Sequence, residues 1–324
     1  MPELRKHYFL DEYCIVATER QQRPSDFKRE CEEGRIAKCQ FCPGNEEMTP
    51  PATAVYKRVG RKIRILKDGQ ERVKGWTIRC FSNLYPALVP SPSSPERTPW
   101  TKLPGYGFHE IIVETPEHEK RLSDFSDEQI ELLMSVYKDR ISHYREQKDV
   151  RYVSLFKNHG AKAGASLAHP HTQLIATPIV PPLLKRELQK IEEIGSCPYC
   201  DIIAKECNSK RFVCENDGWV LLAPFYSQTP FELWALPKRH VHYISALDEL
   251  GLLGTILRDA LHRLDKTLEN PPYNYMFFQS DNEQYHLNIR IQPKLTIRAG
   301  FEKSTDVYIN TVAPERAAKY LKNV

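Results

Sequence analysis

Two histidines separated by one residue, His169 and His171, are followed by Gln173 in the stretch 158–177, NHGAKAGASLAHPHTQLIAT, which moves from small residues into an apolar, β-branched run. Alternate side chains of an extended strand point the same way, so His169, His171 and Gln173 share one face, with Pro170 and Thr172 between them. Ahead of them Gly160, Ala161, Ala163, Gly164 and Ala165 leave the backbone uncovered, and bare N–H groups approach an anion closely. A phosphate suits such a nest. An imidazole beside it is fitted to attack phosphorus, because at pH 7 much of it is neutral and needs no prior deprotonation, provided the other ring nitrogen is held as a donor. Gln173 can donate an amide N–H to a phosphoryl oxygen and stabilise charge that develops in transfer. Two histidines in a strand are more often packing or surface residues, so this chemistry needs support from the rest of the chain.

That support comes from a duplication. Cys39 and Cys42 sit on a tight C-x-x-C turn before Pro43 and Gly44, half of a zinc site by composition, and SCPYC supplies Cys197 and Cys200 later in the chain. Trp76 after Gly75 is answered by Trp219 after Gly218, and HEIIVETPEH by FELWALPKRH, so that Glu110 is as far from His118 as Glu232 is from His240. Each half then runs through an amphipathic helix to an aromatic-rich strand and a histidine strand, HPHTQLI in the first and HLNIRIQ in the second. Laid together, the halves pair Cys39, Cys42, His118 and His169 with Cys197, Cys200, His240 and His286, two Cys₂His₂ sets with the composition of closed structural zinc sites. His109 rivals His118 but aligns with Phe231, and His242 rivals His240 but breaks the matched spacing. The same superposition sets His171 against Asn288 and Gln173 against Arg290. The second half keeps the ligand and loses the second histidine, which gives His171 a job of its own.

The elements that must position these groups follow from periodicity. Residues 7–18 alternate like a strand, and 76–80, 109–113 and 151–157 read as strands, with a Pro-rich surface loop at 86–104 and Asn83 at its edge. Ser126 and Gln129 form a capping box for a helix whose Ile130, Leu133, Met134, Tyr137, Ile141 and Tyr144 follow helical spacing, and Leu250, Leu253, Leu257, Leu261, Leu264 and Leu268 mark its counterpart. PIVPP breaks the chain at 178–182 and opens a helix over about 183–194, closed by Gly195. Residues 1–180 therefore read as a first, catalytic repeat and 181–324 as a second, zinc-binding repeat.

Composition narrows the class. Lys and Arg number 46 against 42 acidic residues, a net +4 that suits small anionic substrates and argues against nucleic acid. Nine cysteines without a secretory leader or a membrane-length apolar run suggest thiols and metal ligands in the cytoplasm rather than disulfides.

With RQQRP, C-x-x-CPGNE, CFSN, FKNHGAKAGAS, HPHTQ, GFE, YIN and PERAA in place, nearly the whole chain resembles the galactose-1-phosphate uridylyltransferase branch of the histidine-triad superfamily. The resemblance implies an α+β fold of two histidine-triad-like repeats, antiparallel sheets with packed helices, two zinc ions per chain and a homodimer. It makes His171 the nucleophile that forms a nucleotidyl-histidine, with Gln173 as its catalytic partner. Arg20, Arg23, Asn83, Asn158, Gly164, Ala165, Ser166 and Gln173 would line the nucleotide and phosphate pocket, and Phe301 and Glu302 would make the second repeat, 181–324, sugar-phosphate-contacting. Hydrolases of the superfamily carry a third histidine where Gln173 stands, and glutamine cannot relay a proton, so the intermediate would wait for a phosphate acceptor rather than water. The better-known uridylyltransferases read HPHGQ and place tyrosine before the late glutamate, whereas this chain has Thr172 and Phe301, with Glu302 retained. The implied reaction is ping-pong uridylyl transfer from UDP-glucose to a hexose 1-phosphate. The alternatives are an ADP-sugar phosphorylase of the same family, a nucleotide hydrolase and a zinc-dependent binding module.

Overall fold

The structure, a computed structural model, describes residues 1–17, 27, 38–60, 62–94 and 100–324. The chain opens with β1 (Glu3–Lys6), β2 (Tyr13–Val16), β3 (Ala52–Val59), β4 (Lys62–Leu66), β5 (Ile78–Ser82) and β6 (Phe108–Val113). Helix α1 (Asp127–Arg145) leads to β7 (Tyr152–His159) and β8 (His171–Thr177), and then come α2 (Pro182–Ile194) and α3 (Pro198–Glu206). The second half continues with β9 (Phe212–Glu215), β10 (Trp219–Leu222), β11 (Leu233–Pro237), α4 (Leu250–Leu268), β12 (Tyr273–Phe278) and β13 (Asn288–Pro293). It closes with α5 (Gly300–Thr305), β14 (Tyr308–Asn310) and α6 (Pro314–Lys322). The protein is α+β, as the sequence leads one to expect.

Eleven strands form one antiparallel sheet in the order β4-β3-β5-β6-β8-β7-β12-β13-β11-β10-β9. About the β7–β12 junction this order is a palindrome for five strands on either side, with β8 opposite β13, β6 opposite β11 and β5 opposite β10. At the junction Asn158 pairs with Asn274, Lys157 with Tyr275 and Phe156 with Met276, so hydrogen bonds run unbroken from the first half into the second.

One face of the sheet is packed by α1 and α4. Helix α1 begins where Ser126 Oγ accepts the Gln129 N–H at 3.3 Å, and it buries Ile130, Leu133, Met134, Tyr137, Ile141 and Tyr144. Helix α4 buries Leu253, Leu257, Leu261, Leu264 and Leu268 against the same core, each such burial stabilising by roughly 1.5–3 kcal/mol. The two helices close tightly at Gly254, where a Cβ would meet Ile130 Cγ1 at 2.9 Å. Thr172, Leu174 and Ala176 of β8 point into this core, which leaves His171 and Gln173 to the other face.

Three features differ from the periodic reading. Of the strand expected over 7–18 only 13–16 is extended, as β2, and it pairs with β1 at 3–6, because the His7 imidazole turns the chain between the two by accepting the Phe9 and Leu10 N–H groups. They join β14 in a separate three-stranded sheet, order β1-β2-β14. The β3–β4 hairpin went unpredicted, since the KIRIL run on β4 exposes most of its length and carries no buried stripe. Helix α2 ends as expected, with Gly195 in the left-handed conformation. Among the described residues no helix is long and apolar enough to cross a membrane.

Candidate active site and metal groups

The two C-x-x-C pairs each meet two histidines. Cys39, Cys42, His118 and His169 bring their ligand atoms within 4.8 Å of one another, and so do Cys197, Cys200, His240 and His286. In the first group Cys42 Sγ lies 3.3 Å from His118 Nδ1 and 3.6 Å from His169 Nδ1, with Cys39 Sγ at 3.8 Å from the latter. In the second, the Sγ to Nδ1 separations are 3.5 Å for Cys200 to His240 and 3.7 Å from both sulfurs to His286. A tetrahedral ion with bonds of about 2.3 Å to sulfur and 2.0 Å to nitrogen separates such donors by roughly 3.5 Å, so these are the edges expected of one coordination sphere.

The histidine tautomers agree with that use. His169 Nε2 donates to the Thr115 carbonyl at 2.8 Å, His286 Nε2 to the Pro237 carbonyl at 3.0 Å and His240 Nε2 to the Glu283 carbonyl at 2.8 Å. A proton held on Nε2 leaves Nδ1 with its lone pair toward the sulfurs, the usual outer-shell arrangement of a metal-bound imidazole. Burial pushes both His169 and His286 down to about 4, which keeps them neutral. Thr115 and Pro237 each lie three residues before the paired histidines His118 and His240, so the duplication extends to the carbonyls that orient the ligands. Both groups can hold a metal ion, and His109 and His242 take no part in them.

His171 lies one strand step beyond His169, buried, with the Phe41 ring edge-on at 5.3 Å between centroids. Its Nδ1 donates to the His169 carbonyl at 2.8 Å, which fixes the lone pair on Nε2. Burial lowers its pKa, the His169 carbonyl opposes that shift, and the Lys157 ammonium adds to it, so the ring is neutral near pH 7. Gln173 Oε1 takes a hydrogen bond of 2.9 Å from His109 Nε2, and Asn83 Nδ2 lies 3.2 Å from the same nitrogen. Asn83, Gln173 and His171 are thus gathered on one side of the sheet.

The glycine- and alanine-rich residues 160–166 form a tight turn beside them. Gly160 and Gly164 hold φ of 80° and 93°, values that side chains rarely adopt, and a Cβ on Gly160 would strike Pro272 at 2.9 Å. Asn158 Oδ1 accepts from Asn274 Nδ2 at 2.7 Å, and the same amide reaches the Ala163 carbonyl at 2.8 Å, which braces the turn bearing Gly164, Ala165 and exposed Ser166. Phe301 and Glu302 stand elsewhere, on α5. Phe301 is exposed, and Glu302 accepts the Ala299 and Ile309 N–H groups, so its hydrogen bonds are local. Arg20 and Arg23 lie outside the described residues.

The sequence reading missed the support beneath β8. Glu114, fully buried, accepts from Thr172 Oγ1 at 2.5 Å, from Tyr137 OH at 3.2 Å and from the Lys157 ammonium at 2.5 Å, and Tyr275 OH is 2.6 Å from Tyr137 OH. A signal was present: Glu114 falls opposite Leu236 when the halves are matched at His118 and His240, a charge where the second half has an apolar core residue. His109 was noticed only as a rival ligand.

A duplicated antiparallel sheet carries a buried, oriented imidazole beside a glycine-bent turn, with paired Cys₂His₂ groups, and its relatives place it among the nucleotidyltransferases. The family model described as galactose-1-phosphate uridyl transferase, N-terminal domain, matches residues 1–181, and the chain belongs to that family. A second model, a domain of unknown function designated DUF4921, matches residues 124–323. The chain is 34% identical to ADP-glucose phosphorylase of Arabidopsis thaliana, covering 100% of itself and 93% of that protein. It is 29% identical to galactose-1-phosphate uridylyltransferase of Thermotoga maritima, over 99% and 98% of the two chains. Among solved structures, the Arabidopsis thaliana ADP-glucose phosphorylase with bound ADP-glucose superposes with a TM-score of 0.80 at 31% identity, covering 100% and 99% of the chains. A uridylyltransferase structure superposes at 0.76 and 28%, covering 100% and 98%.

Proposed function

We propose that the chain transfers a nucleoside monophosphate from a nucleotide sugar to a phosphate acceptor through a covalent intermediate on His171. The observation that carries this reading is the His171 Nδ1 bond to the His169 carbonyl, which leaves Nε2 as a neutral, aimed nucleophile. Nε2 attacks the α-phosphorus, the N–P bond forms, and the bond from that phosphorus to the bridging oxygen breaks, so that sugar 1-phosphate departs with the electron pair. Nδ1–H stays on the ring and continues to donate to the His169 carbonyl, which supports the positive charge of the intermediate. An oxygen of the acceptor phosphate then attacks the same phosphorus, and the N–P bond breaks to restore neutral His171. The Gln173 amide donates to a phosphoryl oxygen in both halves, and the nest at Gly164, Ala165 and Ser166, with Asn83, Asn158, Arg20 and Arg23, holds the nucleotide.

The leading substrate pair is UDP-glucose with galactose 1-phosphate. A second pair, ADP-glucose with inorganic phosphate, draws support from the 34% identity to the plant phosphorylase and from Thr172 and Phe301. Residues 1–180 are the catalytic repeat and 181–324 the second repeat, which presents Phe301 and Glu302 to the sugar phosphate of a homodimeric partner. Both metal groups are read as structural zinc sites, since a four-coordinate set of two thiolates and two imidazoles leaves no open position. A cytoplasmic location belongs to the same reading.

Incubation with UDP-glucose or ADP-glucose labelled in the α-phosphate, followed by an alkaline quench that preserves phosphoramidates, separates the two donors by which label stays on protein. Retention of neither label, or retention that persists in His171→Ala, would overturn the covalent reading. Release of free mononucleotide at the full turnover rate without an acceptor would replace transfer by hydrolysis.

A further inference from the structure

Gln173 has an amide whose two ends do opposite things to a phosphate: NH₂ attracts it and the carbonyl oxygen repels it. Its usefulness depends on which way it is turned. His109 decides that. The Ala87 backbone N–H donates to His109 Nδ1 at 3.2 Å, so the ring proton resides on Nε2, and Nε2 is the atom that meets Gln173 Oε1 at 2.9 Å. The amide oxygen is thereby occupied, and among the described residues nothing takes the hydrogens of the Gln173 NH₂ group. Asn83 obeys the same logic. Its Oδ1 is engaged by the Tyr85 N–H at 3.0 Å, and its Nδ2 lies 3.2 Å from a His109 nitrogen that already carries a proton and cannot accept. The Gln173 amide thus keeps its hydrogens for a ligand.

We infer that His109 is a positioning residue: held by the Ala87 N–H in a single tautomer, it locks the Gln173 amide with NH₂ available to the transferred phosphoryl group. The inference rests on the nucleotidyl-transfer reading above. In matched register the second half has Phe231 in place of His109 and Arg290 in place of Gln173. A guanidinium presents only donors and needs no such lock. The imidazole and the glutamine therefore stand or fall together.

A double-mutant cycle on the full-length, metal-loaded protein tests it, with exchange between the nucleotide sugar and labelled sugar 1-phosphate as the readout. His109→Phe is expected to lower kcat about 30-fold with little change in KM, because loss of one oriented donor costs on the order of 10²-fold and a freely turning amide still spends part of its time correctly placed. His109→Gln, whose amide N–H can donate to Gln173 Oε1, is expected to recover to within about fivefold of the unmodified enzyme. In a Gln173→Ala background, His109→Phe should cost less than about twofold more, since there is no amide left to orient. Losses that multiply in the double variant, or a His109→Gln variant as impaired as His109→Phe, would overturn the assignment; His109→Leu replaces His109→Phe if the latter does not fold. Absence of exchange in the unmodified enzyme would overturn the nucleotidyl-transfer reading and this inference with it, whereas exchange with multiplied losses removes only the role of His109.

Discussion

Asn288 repeats the hydrogen bond of His171. Its Nδ2 donates to the His286 carbonyl at 3.0 Å, as His171 Nδ1 donates to the His169 carbonyl at 2.8 Å, so the second half preserves the local geometry while replacing the imidazole proposed as nucleophile. The atom that takes the place of the imidazole lone pair, Asn288 Oδ1, accepts from Arg290 Nε at 2.9 Å. The second repeat thereby ties this position into the interior.

This correspondence makes His171→Asn the mildest way to remove the nucleophile. The substituted amide can make the bond that Asn288 makes, so metal content should stay unchanged and the melting temperature should fall by no more than about 4 °C, roughly 1–2 kcal/mol for a chain of this size. Nucleotidyl transfer should fall on the order of 10⁴-fold or more. Metal analysis, thermal melting and exchange kinetics on one preparation check all three, and loss of a metal ion would show that ligand and nucleophile were confused.

The metal groups give a contrast rather than a single loss. His169→Ala and His286→Ala should each remove about one ion per chain and lower thermal stability, because structural metal binding adds directly to folding free energy. Their effects on rate should differ. His169 lies two residues before His171, just ahead of β8, and its carbonyl holds the proposed nucleophile, whose displacement by about 1 Å can cost roughly 100-fold. His286 has only Asn288 beyond it. Equal activity losses at a temperature where both variants remain folded would contradict a purely structural second group.

Glu46, in the turn after Cys42, supplies a pH test. Burial alone would raise its pKa, but the Lys74 ammonium at 2.5 Å and the N–H groups of Trp76 and Gly44, each at 3.0 Å, outweigh it and hold the carboxyl at about 2, below its ordinary 4.5. A carboxyl depressed in the folded state contributes stability that is present above its unfolded pKa and lost as pH falls toward the folded one. Between about pH 4.5 and 2 the unmodified protein should therefore lose stability more steeply than Glu46→Gln. Urea unfolding of both at pH 6 and pH 3 measures the difference, to which metal release contributes equally in the two. Parallel losses would remove Glu46 from the account.

How much was legible in the sequence depended on whether a residue's partners lie along the chain or across the sheet. Cys39 and Cys42 carry a C-x-x-C spacing that the second half repeats, His169 opens a histidine stretch answered by His286, and the helix from Ser126 carries its cap and its periodicity, so these could be read directly. His118 was separated from His109 only by alignment with His240, and the structure places it in the metal group. Glu114 just past β6, Lys157 on β7 and Tyr275 on β12 meet beneath Thr172, and the role of His109 depends on a backbone N–H from a loop residue, Ala87. No periodicity encodes such encounters, because strand pairing sets them.

The last prediction concerns the buried cluster that replaces the site in the second half. Arg290, at the position of Gln173, donates to Glu187 Oε1 at 2.6 Å, to the Tyr199 hydroxyl at 2.9 Å and to Asn288, while Glu187 also accepts from Tyr285 OH at 2.6 Å. Glu187 and Arg290 are both buried, so neither charge can turn to water if the other is removed. Breaking such a pair from one side costs about 3–5 kcal/mol, whereas removing both charges costs far less because no unpaired ion remains. Arg290→Gln, which restores the first-half residue, should therefore lower unfolding free energy by about that amount, and adding Glu187→Gln should recover at least about half of it. Neither change should create transfer activity in a His171→Ala background, since Asn288 offers no nucleophile. Urea denaturation of the two single variants and the double variant measures the coupling. A double variant as unstable as the sum of the singles would mean that Glu187 and Arg290 contribute separately, through the two tyrosines rather than through each other.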